Sequence, residues 1–358
     1  MKPTEQLHNL GQSIWIDNIT RNMLDQGTLK RYIDEFSVTG LTSNPTIFDQ
    51  DLTSSPAYDD DIRRLVKLGC SGEWLFFELA LEDLTQAADL FAPIHQRTAG
   101  VDGWVSLEVS PILAHDAAST VAEAKALHKK ARRPNLFIKI PGTKEGAVAI
   151  EESIFAGVPI NVTLLFSRDQ YLAAADAYLR GLERRLAEGM SLDVRSVASI
   201  FVSRWDKATA DKVPAVLRNR LGIAVAQQTY QAYRELLDSE RWQRLENHGA
   251  RPQRLLFAST GTKDPAASDV LYINALAAPH TVNTMPEKTL LAFADHGTVS
   301  GTLPRSGGDP DKVLAAFAEA GVDTAKLAVD LQEEGAKAFS ESWYDLLNTI
   351  QGKIRNAR

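Results

Sequence analysis

The sequence is short of several things, and each shortage removes a class of function. It holds one cysteine, Cys70, in 358 residues. A single thiol closes no internal disulfide and builds no thiolate metal cluster, so the chain reads as a protein of a reducing cytoplasm. Basic residues do not dominate: 39 Lys and Arg against 46 Asp and Glu leave a net charge of −7. That balance predicts no nucleic-acid partner and no anionic membrane partner, while a local anion site stays compatible with it. No apolar run reaches the roughly 20 residues of a membrane span. The opening stretch, MKPTEQLHNLGQSIWIDN, lacks the apolar centre of a signal peptide. No glycine-rich dinucleotide fingerprint follows the first strand-like run. The 7 histidines are scattered and show no metal-ligand spacing, so neither a metal nor a cofactor is expected.

What the sequence does have is a recurring unit: a short apolar run, a polar cluster, then a helical stretch. Eight such runs are visible: SIWIDNIT (13–20), VTGLTSNP (38–45), GWVSLEVSP (103–111), NLFIKIPG (135–142), PINVTLLFS (159–167), VASIFVSR (197–204), RLLFAST (254–260) and HTVNTMP (280–286). Between them lie amphipathic stretches such as DAASTVAEAKALHKKA (116–131) and RDQYLAAADAYLRGLERRLA (168–187). Strands alternating with helices build a parallel sheet. Eight of them predict a closed (β/α)8 barrel, a TIM barrel, with a doubly wound open sheet as the alternative. Two regions exceed the minimal barrel: 59–96, which predicts about two helices, and the tail from Asp309 onward, which predicts two more. No linker divides the chain, so residues 1–358 are expected to form a single barrel domain. The tail segment 327–350 carries an apolar stripe through Leu327, Leu331, Phe339, Trp343 and Leu347. Packing of that stripe on the barrel is the simple reading, and a scaffolding surface is the other.

Side-chain parity then sorts the strands, because successive strand residues face opposite ways. Val105, Leu107 and Val109 share one face, and Trp104, Ser106 and Glu108 the other. Leu136, Ile138 and Ile140 share a face, and Phe137 and Lys139 the opposite one. The same rule sets Ile160, Val162 and Leu164 against Asn161, Thr163 and Leu165, and Ala198, Ile200 and Val202 against Ser199, Phe201 and Ser203. In RLLFAST it sets Leu256 and Ala258 against Leu255, Phe257 and Ser259, and in IWIDN it sets Ile14 and Ile16 against Trp15 and Asp17. One face is aliphatic and suits a helix layer. The other carries a polar residue toward the C-terminal end of the strand, where barrel enzymes place their active sites. Asp17, Asn44, Glu108, Lys139, Asn161, Thr163, Ser199 and Ser259 are therefore expected to converge on one mouth. For a single Ser, Thr or Asn, a private hydrogen bond in the core explains the residue equally well. A lysine beside two carboxylates is much harder to explain as core.

That set has a chemistry. An amine held out of water is more readily neutral, and a neutral amine attacks carbonyls to form a Schiff base. The protonated imine is an electron sink into which a neighbouring C–C bond can break. Such a reaction needs a base for a hydroxyl proton and an acid/base for water. Glu108 and Asp17 are the available carboxylates, Thr163 can hold the water, and Asn44 and Asn161 can fix substrate hydroxyls. Arg204 follows the sixth strand, and Ser259, Thr260, Gly261, Thr262 and Lys263 follow the seventh. Small residues, hydroxyls and two cations at one mouth suit a phosphate.

The stretches IWIDNITR, GLTSNPTIF, VSLEVSP, NLFIKIPGT, INVTLLFS, ASIFVSRWD, LLFASTGTKDP, SDVLYINALAAPHTVNTMP and FADHG occur in this order across nearly the whole chain. Together they resemble the transaldolase family, in its longer form. The resemblance implies that Lys139 is the Schiff-base lysine. It implies that Glu108 and Thr163 handle the catalytic water, and that Asp17 takes the C4-hydroxyl proton. Asn44, Asn161 and Ser199 would hold the dihydroxyacetone moiety, and Arg204 and Ser259 the phosphate. Short forms of the family carry an arginine soon after the matching serine, whereas this chain has Lys263, to which the same task is assigned here. The implied reaction moves a dihydroxyacetone unit from sedoheptulose 7-phosphate to glyceraldehyde 3-phosphate. Erythrose 4-phosphate and fructose 6-phosphate result, within the non-oxidative pentose phosphate pathway. The expected partners are thus small sugar phosphates, and monomer and homodimer are both compatible with the sequence. A fructose 6-phosphate aldolase of the same superfamily and a silent sugar-phosphate-binding barrel are the alternatives. Loss of Lys139, Glu108 or Asp17 would have favoured the silent barrel, and all three are present.

Overall fold

A computed structural model of the chain describes residues 1–357. Eight strands are found at the eight runs: β1 Ser13–Ile16, β2 Val38–Leu41, β3 Val105–Glu108, β4 Leu136–Pro141, β5 Ile160–Leu165, β6 Ser196–Phe201, β7 Gln253–Ala258 and β8 Val282–Met285. They form one parallel sheet in the order β2-β1-β8-β7-β6-β5-β4-β3. The two ends meet through a single parallel bridge, Gly40 to Trp104, with the Leu41 N–H donating to the Trp104 carbonyl at 2.9 Å. The barrel thereby closes, and the open-sheet alternative falls. Gly40 is required at this seam. A Cβ there would lie 2.6 Å from Nε1 of Trp15 and 2.7 Å from the Trp104 carbonyl, so any side chain would pry the seam apart.

The aliphatic faces pack outward under the helices. Leu136, Ile138, Ile140, Ile160, Val162, Ala198 and Ile200 are fully buried in that layer. The lower half of the interior is filled by rings. Trp104 stacks on Phe137 at 4.0 Å between centroids, and Trp15 lies 6.2 Å from the same ring. Below them, buried Asp102 accepts from Nε1 of Trp15 at 2.9 Å and from the Ser13 hydroxyl. Arg254 donates to Ser13 Oγ and to the Thr281 carbonyl, both at 2.7 Å. A buried carboxylate is tolerable only with such partners.

Parity fails at two strand ends. Leu164 was expected on the aliphatic outer face. Its φ of 58° makes a bulge, the register with β6 shifts between Val162 and Leu165, and Leu164 turns to the interior cluster while Leu165 faces out. In β7 the expected faces are exchanged: Leu255 and Phe257 pack outward under the helices, and Leu256 and Ala258, expected outside, face inward. Strict alternation would send Ser259 outward. Instead the strand ends at Ala258, and Ser259 adopts a left-handed φ of 55° that turns it into the mouth.

Both predicted additions are helical. Asp59–Lys67 and Gly72–Arg97 lie between β2 and β3, and Pro310–Glu319 and Thr324–Ala357 form the tail. The last helix crosses the C-terminal mouth. Its inward residues are Ala328, Leu331, Phe339, Trp343, Leu346, Ile350 and Ile354. Leu327 and Leu347 of the expected stripe are only partly buried, because a 3.6-residue period carries the seam to Ala328 and Leu346. Gly335 allows the close approach: a Cβ there would meet Leu164 at 2.9 Å and Arg204 at 3.2 Å.

Candidate active site

The sheet register builds the centre of the site. Lys139 is paired with Glu108 on β3 and with Asn161 on β5. All three side chains face inward, near the C-terminal ends of their strands, so the ladder delivers amine, carboxyl and amide to one level. Lys139 is 5% exposed and Glu108 5%. Lys139 Nζ lies 3.2 Å from Glu108 Oε2, donates to the Ser43 carbonyl at 3.2 Å, and sits 5.6 Å from the Phe339 ring centroid. Burial pushes the Glu108 carboxyl above its usual range and nearby Asp17 adds to this, while the Lys139 ammonium pulls it back. Burial is the largest influence, as expected for a carboxyl with so little water.

A cavity of about 140 Å³ opens above this pair. It is lined by Asp17, Asn44, Lys139, Thr163, Ser199, Arg204, Ser259 and Lys263, eight of the ten residues selected from the sequence. Glu108 and Asn161 are the other two. Glu108 stands beside Lys139. Asn161 is fully buried, donating to Ser106 Oγ at 3.1 Å and accepting from Ser199 Oγ at 2.8 Å. Those bonds fix its amide orientation and that of Ser199 beside it.

Local structure orients the rest. Asn44 caps the helix Pro45–Ser54: its Oδ1 accepts from the Ile47 N–H at 3.1 Å, which leaves the Nδ2 donor available to the cavity. Asp17 follows β1 directly. Thr42 donates to Asp17 Oδ1 at 2.8 Å and shares a 2.9 Å contact with the Thr284 hydroxyl. A hydroxyl has one proton, so with Thr42 donating to Asp17, Thr284 must donate to Thr42. The Thr163 hydroxyl is fully buried and has no hydrogen-bond partner among the described residues. A buried polar atom of that kind calls for explanation, and here it faces the reacting centre.

At the other side of the mouth Arg204 is partly buried against the Phe201 ring, 5.4 Å from its centroid, with no carboxylate at ion-pair distance among the described residues. Burial lowers its pKa, and Glu334 opposes the shift; an arginine stays charged regardless. Ser259 shares a 2.8 Å hydroxyl contact with Ser203, and Gly261 and exposed Lys263 complete the corner. Two cations, a hydroxyl and small residues are a chemistry suited to an anion.

Sequence reasoning missed Thr42, Thr284 and the Ser43 carbonyl, and it named Phe201 as inward-facing and Phe339 as part of the tail stripe without assigning either to the site. Thr284 was legible, since it lies two residues beyond inward-facing Val282. Phe339 carried no local signal, because only the fold brings it over Lys139.

Comparison with known proteins gives the family. Residues 14–350 match the family described as Transaldolase/Fructose-6-phosphate aldolase. The chain is 44% identical over 365 residues to a protein named Transaldolase from Arthrobacter sp. (strain FB24), covering 99% of this chain and 98% of that one. It is 44% identical to the Transaldolase of Thermobifida fusca (strain YX), covering 98% of each. It is 43% identical to that of Thiobacillus denitrificans (strain ATCC 25259 / T1), covering 98% of this chain and all of that one.

Proposed function

The chain belongs to the transaldolase/fructose-6-phosphate aldolase family, and from that premise we propose how its barrel mouth carries out transaldolase chemistry on sugar phosphates. The single observation that carries the mechanism is the buried contact between Lys139 Nζ and Glu108 Oε2 at 3.2 Å. A carboxyl whose pKa is raised by burial can keep the proton that Lys139 gives up. The neutral amine adds to the C2 carbonyl of the ketose phosphate. Glu108 then returns the proton to the carbinolamine hydroxyl, which leaves as water and gives the protonated imine. Thr163, with its uncommitted hydroxyl, orients that water.

Asp17 takes the proton of the C4 hydroxyl. The C3–C4 bond breaks, its electrons pass into the imine, and an aldose phosphate leaves. The three-carbon enamine stays on Lys139, held by Asn44, Asn161 and Ser199. It attacks the carbonyl of an incoming aldose phosphate, Asp17 gives its proton to the new C4 oxygen, and Glu108 and Thr163 deliver the water that frees the longer ketose. The Arg204, Ser259 and Lys263 corner takes the phosphate of each aldose in turn. A cytoplasmic location belongs to the same proposal, supported by the single cysteine and the acidic balance; recovery in a membrane or extracellular fraction would contradict it.

The experiment is borohydride reduction in the presence of fructose 6-phosphate, followed by peptide mass mapping. A dihydroxyacetone-sized adduct on Lys139 supports both the imine and the cleavage. Omitting and adding an acceptor aldose then separates free release from transfer. An adduct on another lysine, or none, removes the mechanism.

A further inference from the structure

Beyond the residues facing the cavity, one buried assembly ties the covering helix to the catalytic strand. Two residues past Glu108, Ser110 is buried. Its backbone N–H donates to Glu123 at 2.6 Å, and its hydroxyl donates to Glu73 Oε1 at 3.1 Å. The same Glu73 oxygen accepts from the indole N–H of Trp343 at 2.7 Å. Trp343 is 1% exposed, wedged edge-on against Phe76 at 4.9 Å. It lies one turn beyond Phe339, on the same helix face, and Phe339 stands over Lys139. Seven residues before Phe339, Gln332 donates to the carbonyls of Gly142 at 3.0 Å and Leu164 at 2.9 Å. The helix is thus pinned on both sides of Phe339. One pin reaches the exits of β4 and β5. The other, through Glu73, reaches the exit of β3. Below lie Lys139, Thr163 and Glu108.

We propose that Glu73 is a positioning residue, the shared acceptor through which Trp343 and Ser110 hold the covering helix shut over the enamine and so commit it to an acceptor aldose rather than to water. This inference rests on the transfer mechanism above. The competing step is explicit. The enamine carbon takes a proton from water, giving the imine, and hydroxide adds to the imine carbon. The carbinolamine then collapses to free dihydroxyacetone and the Lys139 amine, so that one water is consumed in all. A helix that opens admits that water. A helix held on two sides excludes it until an aldose enters.

The assay uses the full chain with fructose 6-phosphate and erythrose 4-phosphate, and reads free dihydroxyacetone released per sedoheptulose 7-phosphate formed. Trp343→Phe keeps the ring and deletes the donor; Glu73→Ala deletes the acceptor. Each breaks the single link from the helix to β3, at its Trp343 bond alone or at both its bonds, and each should raise the ratio about fivefold, the effect of about one ordinary hydrogen bond on a two-state equilibrium. Glu73→Gln keeps an oxygen able to accept both bonds and should restore the wild-type ratio. The double variant Glu73→Ala/Trp343→Phe should exceed neither single by more than measurement error, since both delete the same link. Leu331→Ala, which thins packing elsewhere on the helix, serves as the comparison at matched loss of Tm. A ratio unchanged in both singles, or raised equally by Leu331→Ala, overturns the inference. A wild-type chain that makes no sedoheptulose 7-phosphate overturns the transfer mechanism instead.

Discussion

Lys139 and Glu108 face each other across neighbouring strands, 3.2 Å apart and almost without water. The carboxyl of this pair is shifted upward by burial, which the Lys139 ammonium opposes. Replacement of Lys139 by Met therefore leaves Glu108 free to stay protonated, and the expected result is a folded chain without borohydride-trappable adduct. Glu108→Gln should retain the adduct but form it about 10²–10⁴ times more slowly, the usual range for losing a general acid. Stopped-flow trapping measures this directly, and an unchanged trapping rate would remove Glu108 from the proton path.

Thr163 offers a cleaner separation of stability from function. Its hydroxyl is buried and bonded to nothing among the described residues. Replacing an unpaired buried hydroxyl by a methyl should be neutral or slightly stabilising. Thr163→Val is expected to keep or raise Tm while lowering kcat. A fall in Tm of several degrees alongside unchanged kcat would show that the hydroxyl serves the fold.

Arg204 should behave in the opposite sense. In the proposed mechanism its guanidinium, on the cavity wall, holds the end of the substrate that does not react, so Arg204→Ala is expected to raise KM for phosphorylated sugars with kcat nearly kept. The unphosphorylated acceptor should lose its disadvantage relative to the phosphorylated one. Steady-state kinetics with both acceptors checks this; a low kcat at unchanged KM would contradict the assignment.

Glu123 gives a pH signature. Burial pushes its carboxyl up to about 7, the Ser110 N–H opposes this, and Glu73 adds to it. In the unfolded chain the value is near 4.3. The folded state therefore binds the extra proton between those two values, so the contribution is fully present below about pH 4 and is lost as pH rises through about 7. Glu123→Gln still accepts the Ser110 N–H but cannot titrate. Relative to wild type it should gain about 2–3 kcal/mol between pH 5 and pH 8, read from urea midpoints. A flat difference across that range would refute the assignment.

Period-two alternation was enough to find eight strands and to point Asp17, Glu108, Lys139, Asn161, Thr163 and Ser199 inward, because a closed barrel leaves each strand residue only two directions. It failed at Leu164 and along β7, where Leu256 and Ala258 face inward while Ser259 still reaches the mouth as expected. Leu164 and Ser259 both take left-handed backbone, which resets the alternation after them, and neither is a glycine that would have advertised it. The cover over the site was legible as an amphipathic helix but not as a cover. Which strand exits Phe339, Gln332 and Trp343 reach depends on contacts between residues 168 to 270 positions apart, and no local pattern records such distances.

The stacked rings of Trp104 and Phe137, sealed beneath by Asp102 and Arg254, turn the barrel into a blind alley. Everything that enters must turn round and leave by the same door, under the same helix. In the proposed mechanism the departing aldose phosphate and the arriving one want the same berth at Arg204, and the first must be gone before the second can dock. Traffic through this protein is consequently alternating. The proposed mechanism thus predicts parallel lines in double-reciprocal plots and competition between the two aldoses, whichever sugars are supplied.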